Sequence, residues 1–136
     1  AVALAHSGWR GTVARMGRCV VDKMRQVYGT DPENIVAAVG PSICQACYEV
    51  SGDVAEAFEA EFRKPGQKDQ ILTDKGGGKY QLDLWRANDI ILQEAGIPAG
   101  QIQVTDVCTC HNSTYLFSHR ASQGKRGNLG AFLGLY

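Results

Sequence analysis

Three histidines and five cysteines carry most of the possible chemistry in this 136-residue sequence. His6 stands in Ala5-His6-Ser7-Gly8-Trp9-Arg10-Gly11-Thr12, after a short apolar run and before a segment of helical period. A strand-to-helix corner suits chemistry. Backbone N–H groups at a helix start attract anions, a charged side chain can project beside them, and glycine lets a ligand approach closely. His6 is either a hydrogen-bonded structural residue or a ligand, Arg10 either pairs with a carboxylate or forks onto phosphate, and Trp9 either packs in the core or stacks on a flat ligand.

The cysteines offer a second kind of chemistry. Cys44-x-x-Cys47 together with Cys108-x-Cys110-His111 could make a tetrahedral site of thiolate and imidazole, with Cys44, Cys47, Cys110 and His111 as its candidate ligands. The second of these pairs has one intervening residue where a tight metal knuckle usually has two, and small apolar cysteines beside strands are also common core residues. A thiol nucleophile is the other reading, since an imidazole from His6, His111 or His119 would lower a thiol pKa. Phe117-Ser118-His119-Arg120, followed by Lys125 and Arg126, makes a further cationic stretch, either an anion site or a solvated loop.

Fourteen basic and fourteen acidic residues cancel, so the overall charge provides no footprint for nucleic acid or an anionic membrane, and a small-molecule partner fits better. No apolar run has membrane-spanning length and no secretory leader opens the chain, while an odd number of cysteines points to free thiols in a reducing compartment, the cytoplasm by default. The length suits a single domain over 1–136 or the C-terminal part of one, cut upstream of residue 1.

These residues need elements to position them. Val13, Met16, Val20, Met24 and Val27 predict a helix from Thr12 to Tyr28, closed by Gly29, with a turn over Thr30–Glu33. Ile35–Val39 and Ile102–Val107 read as strands, Gly52–Phe62 and Gln81–Ala95 as helices, and Asn128–Tyr136 as a terminal strand. The polar stretch 63–79, with Pro65-Gly66 and Gly76-Gly77-Gly78, predicts a mobile excursion; its glycines lack the spacing, the preceding strand and the Ser or Thr of a phosphate loop.

His6-Ser7-Gly8-Trp9-Arg10-Gly11, Gly40-Pro41-Ser42-Ile43, Cys47-Tyr48-Glu49-Val50, Tyr80 to Trp85, Cys108-Thr109-Cys110 and Phe117-Ser118-His119-Arg120 fall in the order and at about the spacing of the YfiH/YlmD-type, or laccase-domain, family. The chain closely resembles that family along essentially its whole length. The resemblance implies an α/β layered sandwich, with mixed β-sheets flanked by helices, of which this chain is an incomplete half. It implies phosphorolysis or deamination of purine nucleosides such as adenosine and inosine, with purine nucleoside and phosphate as partners. It also implies zinc, with His6 as one ligand and two more, from Gln-Val-His and Asp-Cys motifs, upstream and absent here. His6 and Arg10 would then be catalytic, and Ser7, Gly8, Arg10 and Arg120 would bind substrate or phosphate, although His119 occupies a position where the family more often has tyrosine. Two alternatives remain open: a copper-dependent oxidase of phenols, and an inactive fragment or interaction module whose partner is the missing N-terminal half.

Overall fold

A computed structural model describes residues 1–125 and 127–135. The predicted helix from Thr12 to Tyr28 is two helices, α1 (Trp9–Val13) and α2 (Met16–Tyr28). Between them Arg15 adopts left-handed backbone angles, φ 55° and ψ 45°. The apolar stripe runs unbroken across this joint, so periodicity does not reveal it. Its cause is tertiary: the turned Arg15 sends Nε to Glu61 Oε1 and Nη1 to Glu94 Oε2, each at 2.5 Å, and its guanidinium lies 5.1 Å from the centre of the Phe62 ring. Gly29, at φ +64°, closes α2 as expected, and Pro32–Asn34 forms one short helical turn whose Glu33 N–H donates to Asp31.

Two small sheets follow. β1 (Ala37–Val39) pairs in parallel with β5 (Ile102–Val104), Ala38 opposite Gln103. The second sheet is antiparallel, with β4 (Lys79–Leu82) between β2 (Glu49–Ser51) and β3 (Leu72–Gly76). With α3 (Gly52–Glu61), α4 (Gln67–Ile71) and α5 (Leu84–Glu94), the architecture is mixed α/β with parallel and antiparallel sheets, as the family resemblance implies.

The stretch 63–79 is ordered, contrary to expectation. It holds α4 and the β3–β4 hairpin, turned by Gly76, Gly77 and Gly78, all at positive φ. Thr73 to Lys79 are exposed, so the hairpin reads as polar and resembles a loop. The predicted helix from Gln81 begins only at Leu84, because Gln81 and Leu82 belong to β4 and Asp83 caps α5 by accepting from Arg86 N–H at 2.8 Å.

α5 is the central packing element. Its Leu84, Ala87, Ile90 and Ile91 join Val50, Phe58, Phe62, Ile71, Leu72 and Leu82 in one core, and Leu92 packs on a second built from Val21, Ile35, Ala95, Ile97 and Ile102. Phe58 and Phe62 stack with ring centres 5.8 Å apart. A Cβ on Gly17 would stand 3.1 Å from Leu92 Cδ2, so a bare backbone lets α2 approach α5 closely.

Two expected strands do not form among the described residues. Ala1–Ala5 are exposed and assigned to no strand, because no strand pairs with them. Residues 128–135 likewise form none, and Leu129, Phe132, Leu133 and Leu135 are exposed; Tyr136, the end of that predicted strand, lies outside the described residues. No helix among the described residues is long and apolar enough to cross a membrane.

Candidate functional site

The His6 corner is an open groove of about 320 Å³ lined by His6, Gly8, Trp9, Arg10 and Gly11. The imidazole folds over Gly8: its Nε2 lies 3.3 Å from where a Cβ on that glycine would stand. Trp9 packs against the core, and the Arg10 guanidinium lies 4.4 Å from its ring centre. The indole therefore supports Arg10, and Arg10 covers the face on which a flat ligand could stack.

A buried polar knot fixes the corner to α5. The Ser7 hydroxyl donates to Asn88 Oδ1 at 2.9 Å, Asn88 Nδ2 donates to Thr12 Oγ1 at 3.1 Å, and Thr12 Oγ1 donates to the Gly8 carbonyl at 3.0 Å. Thr12 is wholly buried, so these bonds satisfy groups that water cannot reach. Ser7, a candidate phosphate contact, thus spends its hydroxyl proton on holding the loop. Asn88 carries no catalytic signal in sequence, only a polar residue on the inner face of a helix.

Arg10 and Arg120, 110 positions apart, both act on Tyr48. Burial pushes the Tyr48 phenol up, and the Arg120 and Arg10 cations pull against it. The Arg120 guanidinium lies 5.5 Å from the Tyr48 ring centre, and its Nη2 donates to the Glu49 carbonyl at 2.9 Å. His119 is exposed, and Arg126 lies outside the described residues. Lys125 instead lines a separate hollow with Phe117 and Ser118.

The cysteines converge elsewhere. Ligand atoms of Cys44, Cys47, Cys108 and His111 all lie within 4.8 Å of one another, a group that could hold a metal ion. Three of the four residues picked out by spacing are present, but Cys108 stands in place of Cys110. The clue in sequence is Cys108-x-x-His111, which repeats the two-residue gap of Cys44-x-x-Cys47 and is masked by the intervening Cys110. Both segments lie just past the C-terminal ends of the parallel strands β1 and β5, where open α/β sheets place their sites.

The titration of the cluster does not favour a thiol nucleophile. Burial, reinforced by hydrogen bonding among the neighbouring thiols, pushes Cys47 up to about 12. Burial also opposes ionisation of Cys108, but backbone N–H groups of Cys44, His111 and Cys110 and the Cys44 thiol outweigh it and bring Cys108 down to about 7. Cys108, however, is 4 % exposed and out of reach of a substrate. Cys47 Sγ, 3.1 Å from His111 Nε2, has the partner that a nucleophile needs but the wrong ionisation.

By fold and site, this is a mixed α/β protein with a His-x-Gly-Trp-Arg-Gly groove and a separate cysteine–histidine cluster. It belongs to the family described as multi-copper polyphenol oxidoreductase laccase, whose model matches residues 1–136. It is 38 % identical over 134 residues to a purine nucleoside phosphorylase, YlmD, of Bacillus subtilis, covering 98 % of this chain and 47 % of that protein. It is 41 % identical over 137 residues to an adenosine deaminase, RL5, of an unknown prokaryotic organism, covering 99 % of this chain and 50 % of the relative. The crystal structure of a Bacillus licheniformis hypothetical protein YfiH superposes with a TM-score of 0.82 at 36 % identity, over 89 % of this chain and 45 % of the other. YlmD from Geobacillus stearothermophilus gives the same TM-score at 32 % identity, over 90 % and 45 %. The chain thus spans about half the length of the curated relatives it matches.

Proposed function

We propose that this chain supplies the His6–Arg10 groove to an enzyme that acts on purine nucleosides by phosphorolysis, deamination or both. The observation that carries the reading is the groove itself, in which His6 folds over Gly8 and the Trp9 ring supports the Arg10 guanidinium, together with relatives named for those two activities. In phosphorolysis a phosphate oxygen bonds to ribose C1′ while the bond from C1′ to the purine breaks and the purine takes up a proton. In deamination water adds at C6 and ammonia leaves. Arg10 and Arg120 are the groups here that would hold the phosphate, as forked donors of fixed charge.

Zinc belongs to this reading only with ligands from outside the chain. His6 joins no group of three or more ligand side chains among the described residues, and a single imidazole does not hold a catalytic zinc. Phenol oxidation with copper finds less support, since the one ligand group among the described residues contains a single histidine. A cytoplasmic setting is part of this reading, since an odd number of cysteines suits a reducing compartment.

The test is turnover by the protein that contains this chain, given adenosine and phosphate. Adenine release or inosine formation is expected, His6→Ala abolishes it, and Arg10→Ala raises the KM for phosphate more than the KM for nucleoside. Unchanged turnover in His6→Ala refutes the assignment.

A further inference from the structure

The cysteine–histidine cluster plays no part in the His6 groove, and its geometry answers a different need. We propose that Cys44, Cys47, Cys108 and His111 bind one zinc ion as a closed, structural site that fastens the loop after β1 to the loop after β5.

Two preformed turns present the ligands. Cys44 precedes and Cys47 ends a short helical turn over Gln45–Cys47, with Cys47 N–H donating to the Cys44 carbonyl at 3.1 Å. Cys108 and His111 flank the second, in which Asn112 donates twice to the Cys108 carbonyl, from N–H at 3.0 Å and from Nδ2 at 2.8 Å. Backbone bonds join the turns to each other: Ser42 N–H donates to the Val107 carbonyl at 3.2 Å and Thr109 N–H to the Ser42 carbonyl at 3.1 Å. Cys44 N–H also donates to Cys108 Sγ at 3.3 Å, the kind of bond that supports a metal-bound thiolate from behind.

The dimensions fit a tetrahedron. With Zn–S near 2.3 Å and Zn–N near 2.0–2.1 Å, tetrahedral ligand atoms stand about 3.5–3.8 Å apart. With one ligand atom taken from each residue, no pair in the group exceeds 4.8 Å, and Cys47 Sγ is 3.1 Å from His111 Nε2. Closing the group on an ion needs the longer separations to contract toward that range. One ring nitrogen would coordinate, and the other stays free to hydrogen-bond.

Four protein ligands complete zinc's preferred coordination and leave no position for water or substrate, which makes the site structural. Three thiolates with one imidazole favour zinc over the harder divalent ions, which prefer oxygen. On binding, the three thiols surrender their protons to solvent as three S–Zn bonds form, with no change of oxidation state. The site also bears on Arg120, because Tyr48 and Glu49 follow Cys47 directly and carry that guanidinium. Zinc would hold this support in place.

The experiment combines metal analysis, cobalt substitution and alkylation mapping on the purified protein. Wild type is expected to hold one zinc per chain in this cluster, and replacement with Co²⁺ to produce the thiolate charge-transfer absorption of a tetrahedral site. Cys44 and Cys47, both partly exposed, should resist alkylation until a chelator is added, while exposed Cys19 reacts throughout. Cys47→Ser and His111→Ala each lose one metal per chain, His6→Ala keeps both the cobalt band and the thiol protection, and His111→Cys, which supplies a fourth thiolate, retains the metal and so separates ligand loss from misfolding. Alkylation of Cys44 and Cys47 at the Cys19 rate before chelation overturns the proposal, as does copper rather than zinc in the cluster, or loss of thiol protection in His6→Ala. The catalytic reading is tested by turnover, so either can fail alone.

Discussion

Glu94 is the most heavily used carboxylate among the described residues, and replacing it by glutamine should change stability in a pH-dependent way. Its side chain, 16 % exposed, receives Arg15 Nη1 at 2.5 Å, Lys64 Nζ at 2.6 Å and Gln67 Nε2 at 2.8 Å. Burial opposes its ionisation, yet Lys64, Gln67 and Arg15 outweigh burial and lower it from 4.5 to about 2. The unfolded chain therefore takes up a proton here at a higher pH than the folded one, so the stabilisation is full above about pH 4.5, shrinks as the pH falls, and is gone below about 2. The separation between those midpoints sets a ceiling of about 3 kcal/mol at neutral pH. Lys64 is 71 % exposed and screened by solvent, which brings the expectation for Glu94→Gln to about 2 kcal/mol. Urea denaturation of wild type and Glu94→Gln at pH 7, 5 and 3 measures this directly. The gap should be widest at pH 7 and more than half closed at pH 3. A gap that does not change with pH would show that the loss comes from packing, and the electrostatic reasoning would be wrong.

Other substitutions probe the knot and the turns. Asn88→Ala removes the partner of both Ser7 and the fully buried Thr12, and should cost about 1–3 kcal/mol in urea denaturation; a cost under about 0.5 kcal/mol would mean that water replaces the amide. Gly96 sits at φ +104°, and a Cβ there would stand 3.1 Å from Pro32 Cβ, so Gly96→Ala should cost more than about 1 kcal/mol and lower the Tm measurably.

Much of this architecture is readable in advance where periodicity or capping is strong. Val54, Phe58 and Phe62 mark α3 by their spacing, Gly29 closes α2, and of the parallel strands β1 stands out as a short apolar run and β5 by the alternation in Ile102-Gln103-Val104. The failures share a cause, which is dependence on contacts distant in sequence. The joint at Arg15 is made by Glu61 and Glu94, 46 and 79 positions away, and leaves no trace in the local apolar pattern. The β3–β4 hairpin is hidden because both its turn and its exposed face are polar, leaving Leu72 and Leu82 as almost its only apolar signal. At the cluster the difference is one of choice. Cys110 and Cys108 are both near Cys47, and only the folded turn decides which thiol faces Cys44 and His111.

The parallel pairing of β1 with β5 also governs the order in which the chain can assemble. Ala37 meets Ile102 only after a 64-residue loop has closed, whereas the β3–β4 hairpin and the individual helices need only local contacts. Until that late step, Cys44 and Cys47 have no metal-ligand partners from the second loop. In an oxidising medium they are free to form a premature bridge that would trap the chain before its last strand docks. Refolding yield should therefore depend steeply on reductant, and it should depend on it most during the interval before β5 is in register.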